Sequence, residues 1–275
     1  MTNPSDPIGI FDSGVGGLSI ASAFHSLFPA EAIVYFADTG HFPYGSRSEE
    51  EVQGLAMSAA QFLLDHGAKI IVVACNTASS VALKLLRSRF SVPFVGVVPG
   101  IKPGTLISGS ARVGVLATAA TFQTRVFTEL VEQFAEGVDV RCQVCPDLVA
   151  LVEAGEVDSP RLDRLVRGYL GPLLHEGLDT LVLGCTHYSF LNPVIRRVAG
   201  PGVTIIDTAV PVAQQVGRVL EATDLLREGE GLGEVRFYTS GDASRFMRVV
   251  GRLWPDGAPA AMQTAGDKPT PHGTT

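Results

Sequence analysis

The sequence is poor in the features that would place it outside the ordinary globular enzymes. Four cysteines in 275 residues are too few and too scattered for the disulfide framework of a small secreted domain. No apolar run approaches the roughly 18–20 residues needed to cross a bilayer. The opening MTNPSDPIGIF has neither the basic flank nor the apolar stretch of a secretory signal. Positive charge is scarce: 21 Lys and Arg face 28 Asp and Glu, for a formal net charge of −7. That balance argues against a general nucleic-acid or anionic-membrane binder. Charged residues make up only 18% of the chain and hydrophobic ones 46%, so most of it is composed to fold around a core. A reducing cytoplasm is the expected compartment, where a cysteine is free to act as a catalyst.

What is present alternates. Short β-rich runs recur at IGIF (8–11), AIVYFA (32–37), KIIVVA (69–74), PFVGVV (93–98), RVGVLA (112–117), VDVRCQV (138–144), TLVLG (180–184), VTII (203–206) and EVRFYT (234–239). Several are nearly continuous in Val, Ile and Leu, as strands buried on both faces of a parallel sheet are. Helical patterns lie between them. Ser48 and Glu51 form a capping box that opens a helix with Val52, Leu55, Ala56, Ala59, Phe62 and Leu63 on one face, closed by Gly67. A second helix starts at Ser159-Pro160 and ends before Gly177.

The chain also repeats itself. KIIVVACNTAS (69–79) and DTLVLGCTHYS (179–189) both end an apolar run in a cysteine followed by small hydrogen-bonding residues, and Cys75 and Cys185 lie 110 positions apart. IGIFDS (8–13) matches VGVLAT (113–118) at the similar offset of 105. Two echoes at nearly one spacing point to a duplicated half-chain. The expected fold is α/β: two similar, pseudo-symmetric α/β domains with mainly parallel sheets and the site in the cleft between them. The first domain is expected over 1–98 plus 210–255, the second over 99–209, and a disordered tail over 256–275.

Two thiols brought to one cleft from opposite sides suit inversion at a stereocentre. One residue removes the proton from Cα as thiolate, and the other returns a proton to the opposite face as thiol. Each cysteine follows a strand and precedes a helical pattern, where free backbone N–H groups and the helix dipole are expected to favour the thiolate. Asn76, Thr77, Thr186 and His187 offer donors for a carboxylate. The residues alone leave rivals open: a cysteine hydrolase with Cys185 as nucleophile and His187 as base, or a small-acid binding protein without turnover.

Taken together, IGIFDSGVGGLS (8–19), DTGHFPYGSRS (38–48), VVACNTASS (72–80), VGVVPG (95–100), ATAATFQT (117–124), CPDLVALVEAG (145–155), GCTHYSFL (184–191) and FYTSGD (237–242) resemble the glutamate racemases of the cofactor-independent Asp/Glu racemase family. The resemblance covers almost the whole chain in order. It implies catalytic Cys75 and Cys185, with Asp12 assisting the first and His187 the second, and Glu153 as a further catalytic candidate. Asp12, Ser13, Pro43, Tyr44, Gly45, Asn76, Thr77, Thr118, Thr121, Thr186 and His187 match the positions that hold the amino acid. The first cysteine would serve D-glutamate and the second L-glutamate, with no pyridoxal phosphate, no other cofactor and no metal. The D-glutamate formed would enter peptidoglycan, a role in cell-wall biogenesis and cell shape. A homodimer is the default expectation. Ala117, Thr124, Phe127 and Ser189 depart from the family's usual residues. Only seven residues precede Ile8, so activation by a wall precursor through an N-terminal extension is not expected.

Two further motifs read as structural. Gly14-x-Gly16-Gly17 places Ser19 where a dinucleotide fingerprint needs its third glycine, so a tight turn presenting Asp12, Ser13 and amide donors is the better account. Cys142 and Cys145 form a C-x-x-C without a second pair or a nearby histidine, and packing within a strand is expected instead of zinc. His25, His41, His66, His175 and His272 belong to no such constellation, and surface or capping roles are expected for them.

Overall fold

The computed structural model describes residues 2–229 and 231–255; the tail expected over 256–275 lies outside them. The described strands form two sheets, and every pairing within them is parallel. The first holds β1 (Ile8–Asp12), β2 (Ile33–Ala37), β3 (Ile70–Val73), β4 (Phe94–Gly96) and β9 (Val235–Thr239), in the order β4-β3-β1-β2-β9. The second holds β5 (Arg112–Ala117), β6 (Asp139–Val144), β7 (Thr180–Leu183) and β8 (Thr204–Ile206), in the order β6-β5-β7-β8. Read from the other edge, the second sheet runs β8-β7-β5-β6 and repeats the winding β4-β3-β1-β2. The fold is thus α/β with two similar halves. β1 corresponds to β5 and β3 to β7, so the segments that follow β3 and β7 occupy equivalent places. β9 adds to the β2 edge of the first sheet, with Ile33 opposite Val235.

Local chemistry sets the helix ends. Ser48 Oγ accepts from Glu51 N at 3.2 Å and Glu51 Oε2 accepts from Ser48 N at 2.9 Å, completing the capping box of helix Glu49–Asp65. Ser159 caps helix Pro160–His175 by accepting from Leu162 N at 3.1 Å. Gly67 (φ +83°) and Gly177 (φ +77°) turn the chain away from these helices in the left-handed region.

One core joins the halves. A continuous apolar cluster runs from Ile8, Phe24 and Tyr35 through Tyr188, Leu191 and Val216 to Leu151 and Leu170. Helix Leu18–Leu27 packs against both helix Ala209–Ala222 and the 3₁₀ segment Thr186–Leu191. At the other end of the first sheet a buried ion pair, Lys69 Nζ to Glu31 Oε2 at 2.7 Å, also gathers the Pro4 carbonyl and the Arg227 amide.

The expectation for Cys142 is corrected. Among the described strands β6 is an edge strand paired only with β5, and Cys142 on it is exposed. Strand alternation predicts burial only where a neighbouring layer covers the face. Cys145, at the start of helix Pro146–Glu153, is the buried member of that pair.

Candidate active site

The carboxyl ends of β1, β3, β5 and β7 face a cavity of about 410 Å³ between the two sheets. On the first side, β1 delivers Asp12, which is 1% exposed. Its carboxylate accepts from Ser13 N at 2.7 Å and from Gly17 N at 2.6 Å. β3 lies beside β1 and leads to Cys75, the residue before helix Asn76–Arg89, whose Sγ is 3.6 Å from Ser13 Oγ. Burial pushes the Cys75 thiol up to about 12, and the Asp12 charge adds to it; the Ala78 amide and Ser13 pull the other way and lose. The amide pull expected at a helix N-terminus is present at Cys75 through Ala78, but burial outweighs it. Burial also raises the Asp12 carboxyl above the usual carboxylate range, against the His187 charge and the Gly17 and Ser13 amides.

On the second side, β7 leads to Cys185 and the 3₁₀ segment Thr186–Leu191. Cys185 Sγ lies 3.5 Å from His187 Nδ1, and His187 Nε2 lies 2.6 Å from Glu153 Oε1. Val15 N, from the first half of the molecule, donates to the same Glu153 oxygen at 2.8 Å. Burial alone would pull the His187 ring down. The charge and hydrogen bond of Cys185, followed by those of Glu153, outweigh it and hold the imidazole well above the usual histidine range. The arrangement is an imidazole ring held between the Cys185 sulfur and the Glu153 carboxyl group.

The glycine-rich turn is explained by close approach. A Cβ at Gly14 would overlap Glu153 Oε1, and one at Gly16 would overlap the His187 ring and Thr186 Oγ1. The turn lets one half of the molecule approach Glu153, Thr186 and His187 of the other.

Asp12, Ser13, Pro43, Tyr44, Gly45, Cys75, Asn76, Thr77, Thr118, Thr121, Cys185, Thr186 and His187 all line the cavity. Glu153 does not; it stands behind His187 and faces a second space of about 220 Å³. Sequence reasoning missed the apolar wall of Phe42, Val144, Pro146, Val149 and Ala150. It also missed Asp38, a buried carboxylate that accepts from Tyr44 Oη at 2.6 Å, accepts from Ser240 Oγ at 2.5 Å and meets His41 Nδ1 at 2.8 Å. Asp38 anchors the loop bearing Pro43–Gly45; its place directly after β2 was the available signal. Among the described residues the cavity is lined by no Lys or Arg, and no cluster of three or more His, Cys, Asp or Glu is arranged to hold a metal ion.

The Asp/Glu/Hydantoin racemase family matches residues 18–216. The chain belongs to that family. It is an amino-acid racemase, and its relatives agree along nearly the whole chain. It is 48% identical to a glutamate racemase of Herpetosiphon aurantiacus over 243 residues, covering 88% of this chain and 96% of that protein. The fold matches a glutamate racemase isoform of Bacillus anthracis with a TM-score of 0.84 at 34% identity, covering 95% of this chain and 98% of the other. It also matches Escherichia coli glutamate racemase, solved in complex with L-glutamate and the activator UDP-MurNAc-ala, with a TM-score of 0.82 at 31% identity, covering 94% and 98%.

Proposed function

We propose that this chain interconverts L- and D-glutamate by cofactor-independent two-base proton transfer at Cα. The observation that carries the reading is the pair of cysteines at equivalent places of the repeated fold, facing one cavity, with His187 against Cys185 and with Ser13 and Asp12 on the wall beside Cys75. The glutamate racemases among its relatives support the substrate. Residues 1–98 with 210–255, and 99–209, are taken as the two domains that close on it.

The Cys185 thiolate, paired with the His187 imidazolium, removes the Cα proton of L-glutamate. The carbanion is planar, and the Cys75 thiol delivers its own proton to the opposite face, giving D-glutamate. Cys185 then holds the abstracted proton and Cys75 is left as thiolate; the cycle closes when Cys185 releases its proton to water and Cys75 takes one up from water, with Asp12, linked to Cys75 through Ser13 Oγ, as the relay. The D-isomer reacts by the reverse sequence, with Cys75 as base. Glu153 holds the His187 ring in place and supports its charge.

With no Lys or Arg on the cavity wall, neutral donors carry the recognition. Ser13, Thr118, Thr121, Thr186 and the N-terminus of helix Asn76–Arg89, with Asn76 and Thr77, hold carboxylate oxygens, while Pro43, Tyr44 and Gly45 close the far end. Asn76 Oδ1 is a buried acceptor without a hydrogen-bond partner among the described residues, which suits the substrate ammonium. The D-glutamate formed supplies cytoplasmic peptidoglycan precursors.

The test is circular dichroism of D-glutamate with the purified protein in D₂O, without added cofactor, followed by proton NMR at Cα. Loss of optical activity with deuterium at Cα is the expected result, and Cys75→Ala and Cys185→Ala each abolish it. Turnover of aspartate but not glutamate would move the substrate. Near wild-type racemisation by either variant would overturn the two-base assignment.

A further inference from the structure

Ser19 stands where a third glycine would have completed a nucleotide-binding fingerprint, and it does not line the substrate cavity. It is buried in the first turn of helix Leu18–Leu27. Its Oγ reaches two carbonyls: Gly16 O at 2.8 Å in its own turn, and Thr186 O at 3.2 Å in the other half of the molecule. Thr186 lies between Cys185 and His187. The turn before Ser19 is itself held firmly from the first side, since Tyr35 Oη donates to Gly14 O at 3.0 Å and Gly17 N donates to Asp12 at 2.6 Å.

The same turn therefore grips the Cys185 side at two points. The Val15 amide holds the Glu153 carboxylate, and the Ser19 hydroxyl, its one proton shared with Gly16 O, holds the carbonyl of the Thr186–His187 peptide. His187 sits between these grips, with one ring nitrogen on Cys185 and the other on Glu153. A ring that must keep two contacts at once is sensitive to rotation of the peptide that carries it.

We propose that Ser19 is a positioning residue for the Cys185 half of the reaction, fixing the Thr186 peptide so that His187 stays aligned between Cys185 and Glu153. It acts through the backbone of the opposite domain and touches neither substrate nor thiol. Among the described residues no comparable contact runs from Ser19 to Cys75, so its effect belongs to one face of the substrate. The proposal rests on the two-base racemase reading.

The test separates the faces. In Cys75→Ser only Cys185 can exchange the Cα proton, and L-glutamate is its substrate; in Cys185→Ser only Cys75 can, with D-glutamate. Ser19→Ala is added to each, and deuterium uptake at Cα from D₂O is followed by proton NMR. The exchange rate falls about tenfold in the Cys75→Ser background, the effect of losing one hydrogen bond that orients a catalytic group, and by less than about twofold in the Cys185→Ser background. Equal losses in both would reveal a general structural role and overturn the proposal. So would an undiminished rate in the first. Silence of both parent variants before Ser19 is changed would overturn the two-base reading itself, and this proposal with it.

Discussion

Replacing His187 by Asn tests the Cys185 half-site directly. Asn keeps a polar group near the position of Nδ1 but cannot carry the proton or reach Glu153. In the native site a charged ring would stand 3.5 Å from Sγ. At an effective dielectric constant of about 20, two unit charges at that separation attract by about 5 kcal/mol. An amide donor on the thiolate would keep about 1–2 kcal/mol of that. The net loss is about 3–4 kcal/mol, or about 10²–10³ in kcat/KM, within the usual worth of a positioned acid or base.

The assay is circular dichroism of glutamate, run from each enantiomer. Because the two enantiomers have equal free energy, kcat/KM must fall by the same factor in both directions, although the lesion lies on one face. The asymmetry appears only in half-reactions: exchange of L-glutamate by the Cys75→Ser variant falls with His187→Asn, and exchange of D-glutamate by Cys185→Ser does not. A His187→Asn enzyme within about tenfold of wild type would refute the reasoning, because the imidazolium would then contribute little more than one neutral hydrogen bond.

Glu31→Ala strands Lys69, which is 0% exposed, and is expected to cost about 3–5 kcal/mol in urea unfolding. The paired change Glu31→Leu with Lys69→Met removes both charges and recovers most of the loss; a cost below about 1 kcal/mol for Glu31→Ala alone would contradict the buried pair. Burial pushes the Cys145 thiol up to about 12 from 9.0, with the Cys185 charge adding to it. The unfolded chain releases that proton first, so the stability the neutral thiol contributes is present below about pH 9 and is lost as pH rises towards about 12. At pH 10 the loss is about 1.4 kcal/mol, and Cys145→Ala should show a correspondingly shallower fall between pH 8 and 10 in urea midpoints. An unchanged slope would rule this out.

Much of the fold is legible in the residues because its signals are local. The Ser48–Glu51 box, Ser159-Pro160 and the glycines at 67 and 177 each act within a few positions of themselves, and the apolar runs match strands to within about two residues. The duplication could also be read, since equivalent strands carry equivalent words. That in turn brought Cys75 and Cys185 to equivalent places. Cys75, Asn76, Thr77, Cys185, Thr186 and His187 were legible from the repeated strand-end motifs, and the other polar lining residues through the family resemblance; the apolar wall of Phe42, Val144, Pro146, Val149 and Ala150 was not.

What only the tertiary structure decided is what each of those groups feels. Glu153 is 34 positions from His187, and Val15 is 138 positions from Glu153, yet the three share one hydrogen-bonded line. Their meeting depends on how two separately wound sheets face each other. The Cys75 thiol stands high, against the local expectation, because burial and the Asp12 charge come from neighbours that the words around Cys75 do not contain. Cys142 is exposed because its strand ends a sheet, a fact of strand order that alternation within the strand cannot express. Backbone preference is written within a few residues, so the sequence determined the elements and the inventory of reactive groups. Burial and electrostatic environment are sums over distant neighbours, so the assembled fold determined which proton each group holds.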